Sequence, residues 1–480
     1  LNQVEKWDLF EISMKGPEEG NPFMDVDFSA TFKRNESSID VPGFYDGSGI
    51  YKIRFMPSEL GVWSYETNSN CSELKALTGK FECIAPSASN HGPVKVSDTY
   101  HFAYADGTPY IPFGTTCYVW THQEDELEEL TLQTLKSAPF NKMRMCVFPK
   151  RYLYNNNDPA LYPFDGSKEE VWDFTRFNPD FFRHLEKRVD DLRNLGIEAD
   201  IILFHPYDNA RWGFDKMGMD VNVRYLRYLT ARLSAYRNVW WSMANEYDLM
   251  ENLSLEDWDT ILKTVAGNDP YDHLRSIHNC RQFYDHNHPL ITHASVQHHD
   301  PRYIFEWKTQ YNKPIVVDEC SYEGNIGLMW GNITEQEMTR RFWDGFLSGG
   351  YVGHGETYLH PDEILWWSKG GELHGKSPDR IAFLKDIIES IPGEYRERIS
   401  FPPQWEYFPC LGKEGEYYLV YLGIYRPAVK QLDLMEGKKY KIELIDTWEM
   451  TITPLEGTYD HNSIVELPGK QYIALRIQNV

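Results

Sequence analysis

The fold turns on one stretch, Val239-Trp240-Trp241-Ser242-Met243-Ala244-Asn245-Glu246-Tyr247-Asp248. A short apolar run breaks abruptly into Asn, Glu and Asp, and an amphipathic segment, Leu255–Val265, follows it. Such a run reads as a strand buried on both faces, and a helix after it is the connection that parallel strands require. The same unit recurs in both directions along the chain. Apolar runs lie at Tyr110–Trp120, Phe140–Pro149, Ile197–Pro206, Leu274–Asn279, Leu290–Gln297, Pro314–Tyr322 and Tyr351–Tyr358, which with Val239–Asp248 makes eight. Helical segments alternate with them at Glu124–Ser137, Pro179–Leu195, Val223–Tyr236, Glu335–Leu347 and Pro378–Ile391. Eight strand–helix units predict a closed (β/α)8 TIM barrel. An open doubly wound sheet would carry a glycine-rich phosphate loop after its first strand. Gly114-Thr115-Thr116-Cys117 stands there instead.

Outside this region the hydrophobic period falls to two. Phe28, Ala30 and Phe32 alternate with polar neighbours, as does Ile50-Tyr51-Lys52-Ile53-Arg54-Phe55; Tyr417–Leu422 and Tyr440–Ile445 are likewise strand-like. The expected organisation is an N-terminal β-sandwich over 1–90, a barrel over 91–397 and a C-terminal β-sandwich over 398–480.

With 48 Lys plus Arg against 72 Asp plus Glu, the formal charge is −24, which disfavours nucleic acid and anionic membranes as partners. Aromatic residues are 15% of the chain, more than cores alone require, and flat rings suit the apolar faces of sugars. No apolar run is long enough to span a bilayer. Seven scattered cysteines without a C-x-x-C pair fit reduced thiols, and the first residues carry no signal-peptide pattern. The expected location is therefore cytoplasmic, or secreted if the N-terminus has been trimmed. The acidic runs Glu124–Glu129 and Glu169-Glu170 read as solvated helix faces.

Reacting groups in such a barrel project from the C-terminal ends of strands. Strand 4 ends in Asn245-Glu246 and strand 7 in Asp318-Glu319. A carboxylate placed after so apolar a strand is costly to bury without a partner or a task. Two of them across one barrel mouth suit glycoside hydrolysis, one protonating the leaving oxygen and the other attacking the anomeric carbon, at about 5–5.5 Å for retention.

These residues resemble those of glycoside hydrolase clan A. That resemblance implies Glu246 as acid/base, Glu319 as nucleophile and Arg144, near the end of strand 2, as support for the nucleophile. His91-Gly92-Pro93-Val94 with Phe102–Pro109 is similar to the entry of apiosidase-like (DUF4038, family 140-like) barrels. Arg54–Pro57 with Gly61–Tyr65 resembles the DUF5060 sandwich, and the tail resembles DUF5605. Two departures stand out. Asp318 competes with Glu319 for the nucleophile role, although strand alternation points the two apart. The clan's aromatic residue on strand 8 is not evident, the nearest Trp pair being Trp366-Trp367 in a glycine-bearing loop where exposure is expected.

The remaining candidates are substrate contacts. Asn245, His205, His278, Gln297, His298 and Tyr322 end strands at the expected mouth. The histidines bind sugar hydroxyls or are satisfied by loop backbone. Tyr118 and Trp120 stack on a sugar or plug the barrel, Glu356 binds a hydroxyl or pairs with a loop arginine, and Trp366 and Trp367 stack on the substrate. A metal site of His205, His278, His298 and Asp318 is the weaker alternative, since strand 1 lacks an H-x-H pair and no H-E-x-x-H occurs. The expectation is a cofactor-free, metal-free retaining β-glycosidase acting on oligosaccharides or glycosides. Exo-action is favoured, with an endo-acting β-glucanase and a non-catalytic carbohydrate-binding scaffold as alternatives.

Overall fold

The computed structural model describes residues 1–480 except 170 and 361, so the Glu170 half of the second acidic run lies outside the described residues. Eight parallel strands form the middle of the molecule: Gly114–Thr116, Lys142–Cys146, Glu198–Phe204, Val239–Ala244, Arg275–Ser276, Ala294–Gln297, Ile315–Glu319 and Tyr351–His354. Each falls within one of the expected windows. Their spatial order is 5-4-3-2-1-8-7-6, a barrel open only between strands 5 and 6. Side chains stitch that seam. Asn279 accepts from the Gln297 backbone N–H at 3.0 Å and donates back to its carbonyl at 3.3 Å, while the Thr292 hydroxyl accepts from the Arg275 N–H at 2.8 Å.

Helix Glu335–Leu347 has the expected bounds, and helices Asp125–Ser137, Pro179–Asn194, Met219–Leu233, Leu255–Asn268 and Ser377–Ser390 match the expected ones with shifted ends. Helix Ile304–Tyr311, after strand 6, was not expected, because its eight residues give too short a periodic signal. Among the described residues no helix joins strands 5 and 6. Tyr110 does not open strand 1. It belongs to a three-stranded antiparallel sheet with Val94–Ser97 and His101–Tyr104, whose Phe102 and Tyr110 rings pack on Trp240 at the start of strand 4 and close the lower end of the barrel.

The N-terminal region is a five-stranded and a three-stranded sheet face to face, with Phe32 of one stacked on Phe55 of the other at 4.1 Å. The C-terminal region pairs a five-stranded with a two-stranded antiparallel sheet, and its Tyr421 packs on Trp343 of helix Glu335–Leu347. The polar face of the Ile50–Phe55 strand is only partly open to solvent: Lys52 is half-buried and Arg54 is covered by the barrel. Arg54 is buried, donating to Glu186 on helix Pro179–Asn194 and to the carbonyl of Arg232 on helix Met219–Leu233. Arg232 in turn binds Glu186 and Asp46. Glu128 is a similar correction to the solvated-face reading of its run: it is fully buried against Arg188. Glu169 is exposed but lies in a bend, not on a helix.

Glu186 neutralises two buried guanidinium groups at the joint between sandwich and barrel. Removing one member of a buried ion cluster strands the others, at about 3–5 kcal/mol. Glu186→Gln is therefore expected to lower stability by that amount, read as a shift of the urea midpoint of the full chain.

Candidate active site

Beneath the C-terminal mouth of the barrel lies a buried network of four charges. Lys142 pairs with Asp200 at 2.6 Å and with Asp318 at 2.8 Å, and Arg144 pairs with Asp318 at 3.0 Å. Ser295 donates to Asp318 as well. Burial opposes the ionisation of Asp318, but Lys142 and Arg144 outweigh it and hold the carboxyl well below the usual carboxylate range. Asp318 is thus committed to the barrel interior and does not line the cavity above. Arg144 also donates to Asn245 Oδ1 at 3.1 Å, so it reaches the mouth through Asn245 and makes no bond to Glu319.

A β-bulge separates Asp318 from Glu319. Val296 pairs with Val317, yet the next pair is Gln297 with Glu319. The extra residue on strand 7 is Asp318, and the slip brings Gln297 opposite Glu319; bulges commonly re-aim side chains beside active sites. With its amide nitrogen facing the acids, Gln297 donates to Glu319 Oε2 at 2.9 Å and to Glu246 Oε1 at 3.1 Å. Those two oxygens are therefore no farther apart than the two bonds laid end to end, 6.0 Å.

Each acid also meets a tyrosine hydroxyl, Glu246 that of Tyr207 and Glu319 that of Tyr118, whose oxygen also lies 3.1 Å from Asn245 Oδ1. Glu246 itself has φ +53°, a left-handed conformation that a non-glycine residue adopts at an energetic cost and that recurs at functional sites. Asp248 fixes the loop opposite by accepting the backbone N–H groups of Cys280, Arg281 and Gln282. Burial raises the pKa of Glu246, against the pull of Lys150. Burial likewise pushes the Glu319 carboxyl up to about 8, with Tyr322 acting the other way. The donors Tyr118 and Gln297, aimed at its two oxygens, favour its ionised form.

The two acids open into a cavity of about 580 Å³. Of the expected residues it brings together Glu246, Glu319, Asn245, Gln297, His298, Tyr118, Tyr322 and Trp367. It leaves out Arg144, His205, His278, Trp120, Glu356 and Trp366. His205 accepts from the Tyr207 N–H and bonds the Phe148 carbonyl, bracing the loop that carries Tyr207. His278 is buried with its pKa driven down by burial and then by Arg144. Trp120 fills the core between barrel and helices. Glu356 accepts the N–H groups of His374 and Gly375, pinning that loop. Trp366 and Trp367 are not exposed but buried on a single helical turn, Trp366–Lys369, and the Trp366 indole donates to Thr115 at 2.8 Å. His205, His278, His298 and Asp318, the alternative metal set, are not among the groups of described residues whose ligand atoms gather at one point. His205 and His298 bond backbone, Asp318 pairs with Lys142, and the His278 ring nitrogens have no hydrogen-bond partner among the described residues.

Lys150, Tyr152, Tyr207, Cys280 and Trp330 also line the cavity and were not singled out from sequence. They sit on loops after strands 2, 3, 5 and 7, where periodicity carries no signal. Only the rule that these loops build the mouth could have pointed to them.

The family model described as apiosidase-like, catalytic domain, matches residues 97–406; domains of unknown function DUF5060 and DUF5605 match 3–70 and 405–478. A Bacteroides vulgatus ATCC 8482 protein classed with the glycoside hydrolases is similar over 100% of both chains, at 42% identity and TM-score 0.95. A family 5 glycoside hydrolase from the same organism shares the fold, at 15% identity and TM-score 0.61 over 81% of this chain and 93% of its own. No curated protein matches the sequence.

Gln297 donates to the charged form of both acids, so its loss raises their pKa values. For Gln297→Leu the expected rise is roughly one to two units, the equivalent of a hydrogen bond to a charged group. Carbon-13 NMR titration of the labelled Glu carboxyls checks it.

Proposed function

Since the chain belongs to the apiosidase-like family and is a glycoside hydrolase with a carbohydrate substrate, we propose that it works by double displacement with retention, cleaving a β-linked terminal sugar. In this reading Glu246 protonates the leaving oxygen and later draws a proton from water. Glu319 attacks the anomeric carbon and carries the glycosyl ester. The observation that carries the proposal is the shared amide of Gln297, which keeps the facing carboxylate oxygens within 6.0 Å. Retaining pairs lie at about 5–5.5 Å, while inverting pairs need roughly 6.5–9.5 Å to admit a water.

The tuning leaves the two acids alike: burial raises both pKa values, and Gln297 and one tyrosine donate to each. In the acid role, the raised pKa of Glu246 suits a group that must hold a proton at neutral pH. In the nucleophile role, Glu319 has the donors Tyr118 and Gln297 to stabilise it as an anion once substrate displaces water. Asn245, held by Arg144 behind it and Tyr118 beside it, is fixed where a sugar hydroxyl next to the anomeric carbon would lie. Tyr118, Tyr322 and Trp367 supply aromatic walls.

Small-molecule sites run to about 300–1,000 Å³. A cavity of about 580 Å³ walled by Tyr152, Trp330 and Trp367 suits the end of a saccharide better than the middle of a long chain, which favours exo-action. Apiose, the branched furanose for which the family is described, is one sugar to test.

A panel of aryl β-glycosides, furanosides included, tests the proposal. Glu319→Gln is expected to lose activity on every substrate. Glu246→Gln is expected to lose about 10²–10⁴-fold on substrates with poor leaving groups and far less on activated ones that need no acid. NMR of the first-formed sugar should show the β-anomer; an α-anomer would exclude double displacement.

A further inference from the structure

Lys150 lies just past strand 2, is 3% exposed, and faces the cavity that holds both acids. Its surroundings are aromatic. The ammonium is 4.1 Å from the ring centroid of Tyr118, 4.4 Å from Tyr207, 4.6 Å from Trp367 and 5.4 Å from Tyr152. Among the described residues it has no hydrogen-bond acceptor and no ion pair. Five other buried cations are paired, Arg54 and Arg232 with Glu186, Arg188 with Glu128, and Lys142 and Arg144 with Asp318, whereas Lys308, 7% exposed, has only the Tyr100 ring at 4.5 Å and faces no acid pair.

An ammonium with three unused donors is costly to bury, and ring faces return only part of the lost hydration. Two of the four rings belong to the tyrosines whose hydroxyls touch Glu246 and Glu319. Acceptors for the free donors therefore come from what fills the cavity beside the two acids, water before substrate binds and substrate afterwards. Sugar hydroxyl oxygens are such acceptors.

We propose that Lys150 is a substrate-binding residue whose unused N–H donors hold hydroxyl oxygens of the sugar ring seated between Glu246 and Glu319. This rests on the glycosidase reading of the pocket. The transition state of glycoside cleavage carries positive charge at the ring oxygen and anomeric carbon. A cation useful to the reaction must sit at the hydroxyl side of the ring, where it binds substrate and transition state about equally. Such uniform binding lowers KM and leaves kcat alone. A merely structural role for Lys150, holding Tyr118 and Tyr207 in place on the acids, predicts the reverse, a loss of kcat.

The test compares Lys150→Met and Lys150→Arg with the wild-type full chain on the aryl β-glycosides that it hydrolyses. Lys150→Met is expected to raise KM roughly tenfold to a hundredfold, the range for a hydrogen bond to a charged group, with kcat within about threefold. Lys150→Arg, which keeps the charge, should recover part of the loss and guards against a folding defect in the Met variant. Monodeoxy versions of the same glycosides complete the cycle: removing the contacted hydroxyl should weaken the wild type but not Lys150→Met any further. An unchanged KM, or a loss confined to kcat, overturns the inference and leaves the glycosidase reading standing. Calorimetric binding of glucose, galactose, mannose, xylose, arabinose and apiose separates the two claims. Lys150-dependent binding without hydrolysis of any glycoside overturns the retaining-glycosidase proposal and keeps the sugar contact. Absence of both binding and hydrolysis overturns both.

Discussion

Two acids on one strand end cannot both face the cavity, and the pairing of Asp318 with Lys142 and Arg144 decides which of them does. Four charged side chains are enclosed where a barrel of this kind is usually filled with branched apolar residues. They are tolerable there only because each has a partner of opposite sign. The network takes Asp318 out of the mouth, and the bulge that gives it room swings Gln297 across to Glu319. Through Arg144 it fixes Asn245, and through Asn245 it reaches Tyr118. The rigid floor is thus continuous with the groups that touch both carboxylates.

Rigidity matters because the site holds conflicting charges. Two carboxylates share one amide donor, an ammonium stands nearby without an acceptor, and Glu246 sits on strained backbone. None of these features stabilises the fold, and proteins keep such arrangements only where surrounding packing over-determines them. The support comes from the sides as well as from below. The N-terminal sandwich is bound to the second and third barrel helices through Arg54, Glu186 and Arg232, and the C-terminal sheet packs against the seventh-strand helix through Tyr421 and Trp343. Loops at the mouth are tied by single acidic residues that collect several backbone N–H groups, Asp248 for 280–282 and Asp208 for 211–214.

Burial also separates the residues that line the cavity from those that resemble them in sequence. His205, His278, Glu356, Trp120 and Trp366 all follow apolar runs, as the lining residues do, and all turn away from the cavity. His205 and Glu356 are spent on backbone groups of neighbouring loops, and Trp366 on a threonine beneath it. These are the bonds that a buried polar group must find. Nothing in a strand-end position says whether the partner will be a loop or a ligand.

The sequence alone determined the barrel and its flanking β regions, and it marked Glu246 with Asp318 or Glu319 as the acids at the strand ends, because periodicity and abrupt polar breaks are local properties of the chain and survive any detail of packing. It missed helix Ile304–Tyr311, which is too short to show a period, and it placed Trp366-Trp367 in an exposed loop, because glycines nearby outweighed a single buried turn. Only the tertiary structure decided that Asp318 is a structural ion, that Gln297 bridges the acids and that Lys150, Tyr207 and Trp330 share their cavity. Those facts depend on a one-residue bulge and on which loops meet across the mouth. Both are set by contacts between segments far apart in the chain, which no local pattern records.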